Sequence, residues 1–139
     1  MIIYRIAESE LLALSKQYRA IAVVGPRQSG KTTLVRSCFP GKAYVNLENT
    51  DTRRFAIEDP RGFLSGFPDG AILDEVQRVP ELFSYLQQIL DENTTKGQFI
   101  LTGSNNFLLQ ENISQTLAGR VGYMFLLPLS LHELNQPLP

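Results

Sequence analysis

The sequence holds little that would support metal-cluster, disulfide or membrane chemistry. Its 139 residues include one cysteine, Cys38, one histidine, His132, and no tryptophan. A lone thiol cannot form an internal disulfide, and this stock supplies neither a multi-thiolate nor a clustered-histidine metal site. Cys38 and His132 therefore read as a packing and a surface residue. No apolar stretch approaches the ~20 residues of a membrane-spanning helix. The opening MIIYRIAESE is broken by Arg5 and Glu8, so it lacks the apolar core of a signal peptide. Formal net charge is −1, with no basic excess to mark a nucleic-acid surface and no acidic tail. These absences predict a soluble, cytoplasmic chain with no membrane partner.

What is present suits one globular unit, residues 1–139. A chain of this length buries roughly two-thirds of its unfolded surface, enough for a real core without disulfides or metal. Apolar, strand-like runs alternate with longer segments of helical period. AIAVVG (20–25) is continuous and rich in branched residues, as in a strand buried on both faces. A short helix over 31–39 follows, stopped by Pro40-Gly41. KAYVNLE (42–48) reads as a second strand. The polar stretch from there to about Pro68 reads as short helices and loop, with Arg53 and Arg54 on a solvated face.

GAILDE (70–75) is a third strand. Pro80 starts a helix that carries Leu82, Phe83, Leu86, Ile89 and Leu90 at helical spacing. QFILTGS (98–104) and VGYMFLLPL (121–129) supply a fourth and a fifth strand. An N-terminal helix over about 8–18, with Leu11, Leu12 and Leu14, covers a sheet edge. Strands joined by helical crossovers make an α/β fold: a parallel sheet with helices on both faces. Ligands of such sheets sit at the carboxyl ends of the strands.

The polar motifs fall at those ends. GPRQSGKTT, residues 25–33, fits G-x-x-x-x-G-K-[ST] and stands between the first strand and the first crossover helix. A chance match in a chain of this length has odds on the order of one percent or less. The glycines Gly25 and Gly30 let backbone N–H groups converge on phosphate oxygens. The helix N-terminus beyond adds unpaired donors and a favourable dipole. Lys31 supplies a mobile charge for the β and γ phosphates, and the Thr32 hydroxyl can ligate magnesium. Pro26, Arg27, Gln28, Ser29 and Thr33 complete the cradle. Arg27 is either a phosphate contact or a freely variable loop position.

AILDE ends an apolar strand on Asp74, a second magnesium candidate, followed by Glu75, which can orient or deprotonate an attacking water. An ordinary surface Asp-Glu pair is the alternative. ILTGSNN turns polar at its end, so Ser104, with Asn105 behind it, can sense the γ-phosphate or the water. Either residue can equally be a helix N-cap. In TLAGRVGYMF, Arg120 follows a helix that ends at Gly119. It can stabilise phosphoryl transfer in its own site or a neighbour's, or be a surface ion pair.

GPRQSGKTTL, AILDEVQRVPELFSYLQ, FILTGSNNFLL and SQTLAGRVGYMFLLPLSLHEL together resemble the AAA-like P-loop ATPases of bacteria and archaea that carry a C-terminal domain of unknown function. The resemblance spans nearly the whole chain. It implies a P-loop NTPase three-layer sandwich with a five-stranded parallel sheet in the order 5-1-4-3-2. It places Lys31 and Thr32 in the Walker A motif, Asp74 and Glu75 in Walker B, Ser104 at the first sensor and Arg120 in the Leu-Ala-Gly-Arg segment. By that likeness the cofactors are ATP and Mg²⁺, and the role of the Arg120 segment is left open; the candidate catalytic residues are Lys31, Glu75, Ser104 and Arg120.

The ending SLHELNQPLP looks like a cut through a larger protein, so the family's C-terminal region is expected as a missing partner. A protein or nucleic-acid partner stays open. The fragment is expected to be a monomer and the full-length chain is able to oligomerise. Two other functions compete with ATP hydrolysis driving a conformational switch: a small-substrate kinase, and a nucleotide-gated interaction module with negligible turnover. GTP is disfavoured, because TKGQ (95–98) is misplaced and lacks the aspartate of a guanine-reading motif.

Overall fold

The computed structural model describes residues 2–26, 29–104 and 106–126. Helix α1 (Ile2–Gln17) leads into strand β1 (Ala20–Val24), and helix α2 (Lys31–Cys38) follows the glycine-rich loop. Strand β2 (Ala43–Asn46) is separated from strand β3 (Ala71–Asp74) by helices α3 (Thr50–Glu58) and α4 (Pro60–Ser65). A 3-10 turn (Val76–Arg78) and helix α5 (Leu82–Glu92) precede β4 (Phe99–Gly103), helix α6 (Asn106–Thr116) and β5 (Val121–Phe125).

The strands form one sheet in the order β2-β3-β4-β1-β5, and every neighbouring pair is parallel. Read from the other edge this is 5-1-4-3-2, as the family resemblance implied. Ala20 pairs with both Phe99 and Val121, while Ala71 pairs with both Ala43 and Phe99, so all five strands start on one line. Their ends align too: Val24 lies opposite Gly103 and Phe125, and Asp74 lies opposite Asn46. Every loop that leaves a strand tip therefore emerges along one edge of the sheet.

Alternation along the strands divides the core in two, because successive side chains point to opposite faces. Ala20, Ala22, Val24, Leu73 and Leu101 join the cluster that takes in Leu86 of α5 and Ile113 of α6. Ile21, Val23, Ile72 and Ile100 join the cluster that holds Leu11 of α1 and Leu34 of α2. Helices on both faces of a sheet buried on both faces make the three-layer sandwich.

The crossover between β2 and β3 is helical because its caps are in place. The Asn49 side chain accepts from the Thr52 N–H at 3.0 Å, which starts α3. Asp59 does the same for α4, accepting from the Gly62 N–H at 2.9 Å, with Pro60 in the first turn.

Three boundaries differ from the sequence reading. Helix α1 starts at Ile2 rather than near residue 8, because its buried stripe, Ala7 and Leu11 one turn apart, begins ahead of Glu8. Leu12 faces solvent, and the helix packs on α2 and the edge strand β5. Helix α6 ends at Thr116, and Gly119 sits in the turn beyond it at φ 79°. The fifth strand is described as far as Phe125, with the Leu126 N–H still donating to Val24 O at 2.8 Å; residues 127–129 lie outside the described residues.

Candidate nucleotide-binding site

The glycine-rich loop leaves β1 between β4 and the edge strand β5, anchored by the Gly25 N–H on Gly103 O at 3.2 Å. A side chain at Gly25 would meet Leu126 O at 2.5 Å and Ser29 Oγ at 2.8 Å, so only glycine fits there. Gly30 takes φ 89°, a left-handed turn that aims the first N–H groups of α2 back into the loop. The Ser29 hydroxyl is buried inside this curl with no partner among the described residues. A buried polar atom without a partner is costly, and an anion seated in the loop would supply one. Pro26 is exposed on the rim and Thr33 on the first turn of α2. Arg27, Gln28, Asn105 and His132 lie outside the described residues.

Lys31 is 5% exposed, an unusual place for an ammonium. Its Nζ donates to Pro26 O at 3.3 Å and stands 3.6 Å from Glu75 Oε1. A buried pair at that separation recovers little of the cost of removing two charges from water. Its value lies elsewhere than in stability, and the ammonium is free to move onto a better anion.

Asp74 is held by three hydroxyls. Thr32 Oγ1 donates to Oδ2 at 3.2 Å, the Tyr44 phenol donates to the same oxygen, and Thr102 Oγ1 donates to Oδ1 at 2.5 Å. An ionised carboxylate accepts about four bonds, so one position remains for a metal ion or its water. Oxygen donors from Thr32 and Asp74 match the preference of Mg²⁺. Burial first, and then the Asp74 carboxylate, push the Tyr44 phenol above its ordinary range. It therefore stays protonated and donating. Arg36 of α2 lies over the Tyr44 ring, 4.3 Å from its centre, and steadies it.

Glu75 is the one non-glycine among the described residues with positive φ, at φ 59° and ψ 46°. Left-handed backbone at such a residue costs roughly 1–2 kcal/mol. Simple alternation along the strand would put Glu75 on the opposite face from Asp74. Instead, the left-handed turn brings its carboxylate back into the same cluster as Lys31. Thr102 ties the two acids together, because its hydroxyl also accepts from the Glu75 N–H at 3.1 Å. The Ser104 hydroxyl donates to Glu75 Oε2 at 2.8 Å, so Ser104 faces the acid itself and is bound to it.

Arg120 does not join this cluster. It precedes β5, whereas the loop follows β1, and the two strands run in register from Ala20–Val121 to Val24–Phe125. The length of the sheet, roughly 13–16 Å of strand, separates it from the phosphate loop. Of the readings open for Arg120, the surface ion pair is the one its contacts display. Its guanidinium grips Asp91 side-on, with Nε 2.5 Å from Oδ1 and Nη2 3.1 Å from Oδ2. This hydrogen bond holds the Asp91 carboxyl below its usual range.

Cys38 belongs to the packed cluster under α2, and burial, aided by the Glu8 charge, raises its thiol to about 11. That keeps it unreactive at neutral pH. Two residues of the site escaped the sequence reading. Tyr44 reaches Asp74 only because β2 pairs with β3, which no local pattern reveals. Gln77 is buried in the 3-10 turn and donates to Glu75 Oε2 at 2.5 Å.

Comparison with known proteins agrees with this fold. A family model described as an AAA domain matches residues 17–135. The uncharacterized protein Rv2008c of Mycobacterium tuberculosis is 36% identical over 120 residues, covering 83% of this chain and 26% of that protein. The chain thus spans about a quarter of the length of the curated relatives it matches. Among solved structures, the Walker-type ATPase PABY2304 of Pyrococcus abyssi superposes with a TM-score of 0.62 at 17% identity, covering 96% of this chain and 59% of that one. AMPPCP-bound DnaA from Aquifex aeolicus gives a TM-score of 0.55 at 20% identity, covering 99% and 52%. At such identities the likeness is one of fold. By its sequence match over most of its length, the chain belongs to the AAA-domain family and is an AAA-like P-loop ATPase domain with a nucleotide-binding fold.

Proposed function

We propose that this domain binds ATP with Mg²⁺ and hydrolyses it, and that the exchange of nucleotide states switches the conformation of the protein it belongs to. One observation carries this reading: both loop residues already engage the two acids, Thr32 on Asp74 and Lys31 beside Glu75. The loop backbone and the N-terminus of α2 cradle the phosphates, while Lys31 swings from Glu75 to their outer oxygens. Thr32 and Asp74 hold the metal. When bound, Mg²⁺ neutralises charge on the phosphate oxygens. Glu75, released from Lys31, orients a water and accepts its proton through Oε1. The water oxygen bonds to the γ-phosphorus, and the oxygen bridging to the β-phosphorus departs with the bonding pair. Ser104 holds Glu75 in place.

Incubation with γ-labelled ATP distinguishes this from its competitors. Free labelled phosphate is expected. Label on an acceptor would make the domain a kinase, and unchanged nucleotide at saturating Mg²⁺ would make it a binding module.

Asp74→Ala should flatten the Mg²⁺ dependence of ATP binding while leaving residual metal-free binding, because the backbone cradle is untouched. Asp74→Asn, which keeps the shape of the side chain and an acceptor for Thr32 and Tyr44, guards against a folding artefact. Identical Mg²⁺ titration curves for wild type and both variants would remove Asp74 from the metal site.

Arg120, half-buried at the far end of the sheet and paired with Asp91, is better placed for a nucleotide on a neighbouring subunit than for its own. In that arrangement the specific activity of the full-length protein rises with its concentration. Mixing Glu75→Gln with Arg120→Ala then restores part of the lost turnover, because one interface pairs an intact Glu75 with an intact Arg120. Concentration-independent turnover that Arg120→Ala leaves unchanged would reduce Arg120 to a surface ion pair.

A further inference from the structure

The two oxygens of Glu75 are treated differently. Oε2 accepts from three donors: Gln77 Nε2 at 2.5 Å, Ser104 Oγ at 2.8 Å and the Ser104 N–H at 3.3 Å. Among the described residues Oε1 faces Lys31 alone, at 3.6 Å. Three donors at one oxygen fix the rotation of the carboxylate, and they leave the other oxygen to take a proton once the ammonium moves away.

Gln77 spends its amide on this one task. It is 9% exposed, in the short turn that begins directly after the left-handed Glu75. Its Oε1 is buried with no hydrogen-bond partner among the described residues. An unpaired buried acceptor is destabilising and offsets part of what the donated bond contributes, so stability is a weak reason for an amide here. The room for it is also specific: a side chain at Gly103 would meet Gln77 Oε1 at 2.7 Å. The amide cannot turn over to relieve its orphan oxygen, because that would set oxygen against the Glu75 carboxylate.

We infer that Gln77 is a positioning residue for Glu75, fixing Oε2 so that Oε1 alone is offered to the attacking water. The inference rests on the proposal that Glu75 is the base for ATP hydrolysis. Gln77 itself touches neither nucleotide nor water, and it acts only through the glutamate. Its effect belongs in turnover rather than in affinity. A near-attack geometry lost by about an ångström lowers a rate by orders of magnitude, whereas ATP is held by other residues.

Gln77→Met keeps the length of the side chain, removes the donor and removes the orphan acceptor. In the full-length protein it should melt close to the wild-type temperature and bind a non-hydrolysable ATP analogue within about threefold of wild type, because the lost donor and the removed orphan acceptor offset each other. Its kcat should fall at least ~10-fold with KM nearly unchanged. Gln77→Asn, a shorter amide, should recover part of that loss. A second readout needs no turnover: in nucleotide-free protein, the side-chain amide proton resonance of Gln77 should lie downfield and move upfield in Glu75→Ala.

Wild-type kcat in Gln77→Met, or a Gln77 amide resonance indifferent to Glu75, overturns the inference. Parallel loss of melting temperature and affinity overturns it too, by making Gln77 structural. Failure of the underlying reading looks different. In that case Glu75→Gln itself keeps wild-type turnover, or the wild type releases no phosphate while the Gln77 resonance still reports the contact.

Discussion

Lys31→Ala is expected to lose about a hundredfold or more in ATP affinity. Lys31 is the lysine that the loop brings to the phosphates, and a charge-assisted contact of this kind is worth ~2–3 kcal/mol, or one and a half to two powers of ten. Two features of the site add to the effect. The ammonium is already desolvated at 5% exposure, so the nucleotide gains its charge at little further cost. Its present partner is 3.6 Å away, a loose pair that phosphate oxygens can replace. The variant also strips Glu75 of its counter-charge, although Gln77 and Ser104 still hold Oε2. Calorimetry of ATP binding, with circular dichroism to show the variant is folded, checks the prediction. Unchanged affinity in a folded Lys31→Ala would mean that residues 25–33 are not the site.

Glu75→Gln is the second large effect, and it acts on the other half of the cycle. The amide keeps the shape of the carboxylate but cannot take a proton, so turnover falls by ~10²-fold or more. Binding behaves in the opposite sense. Lys31 no longer has to leave a buried carboxylate before it meets the phosphates, so ATP should bind at least as tightly as to wild type. The new carbonyl oxygen can keep accepting from Gln77 and Ser104, which turns the new NH2 toward Lys31, so a structural check belongs with it. A Glu75→Gln protein that binds ATP weakly and turns it over slowly in the same proportion would point to a damaged site rather than to a missing base.

Much of this arrangement was legible in the sequence because its signals are local. The glycine-rich loop, the apolar run before it and the helix after it lie within twenty residues, and each has its own chemistry. AILDE and FILTGS end in polar residues, so a parallel sheet alone puts Asp74, Thr102 and Ser104 on one edge. The strand order came from the family resemblance, since alternating strands and helices are compatible with several orders.

What was not legible depended on contacts between segments. Tyr44 sits in an ordinary-looking strand, and its phenol finds Asp74 thirty residues away only through the β2–β3 pairing. The direction of the Glu75 side chain was not legible because its backbone leaves the strand in a left-handed turn, which no side-chain pattern announces. Gln77 has no sequence signal beyond its place two residues after Glu75. Arg120 was read by its chemistry without its height on the sheet, and the in-register start of β1 and β5 places it at the end opposite the loop.

The most direct test of the central claim is a rapid-quench single turnover of γ-labelled ATP with excess full-length protein and Mg²⁺, run on wild type and Glu75→Gln. The site described here predicts that wild type converts the bound label to free phosphate, whereas Glu75→Gln retains it as intact, tightly bound ATP. Release of labelled phosphate by Glu75→Gln at the wild-type rate would contradict the account.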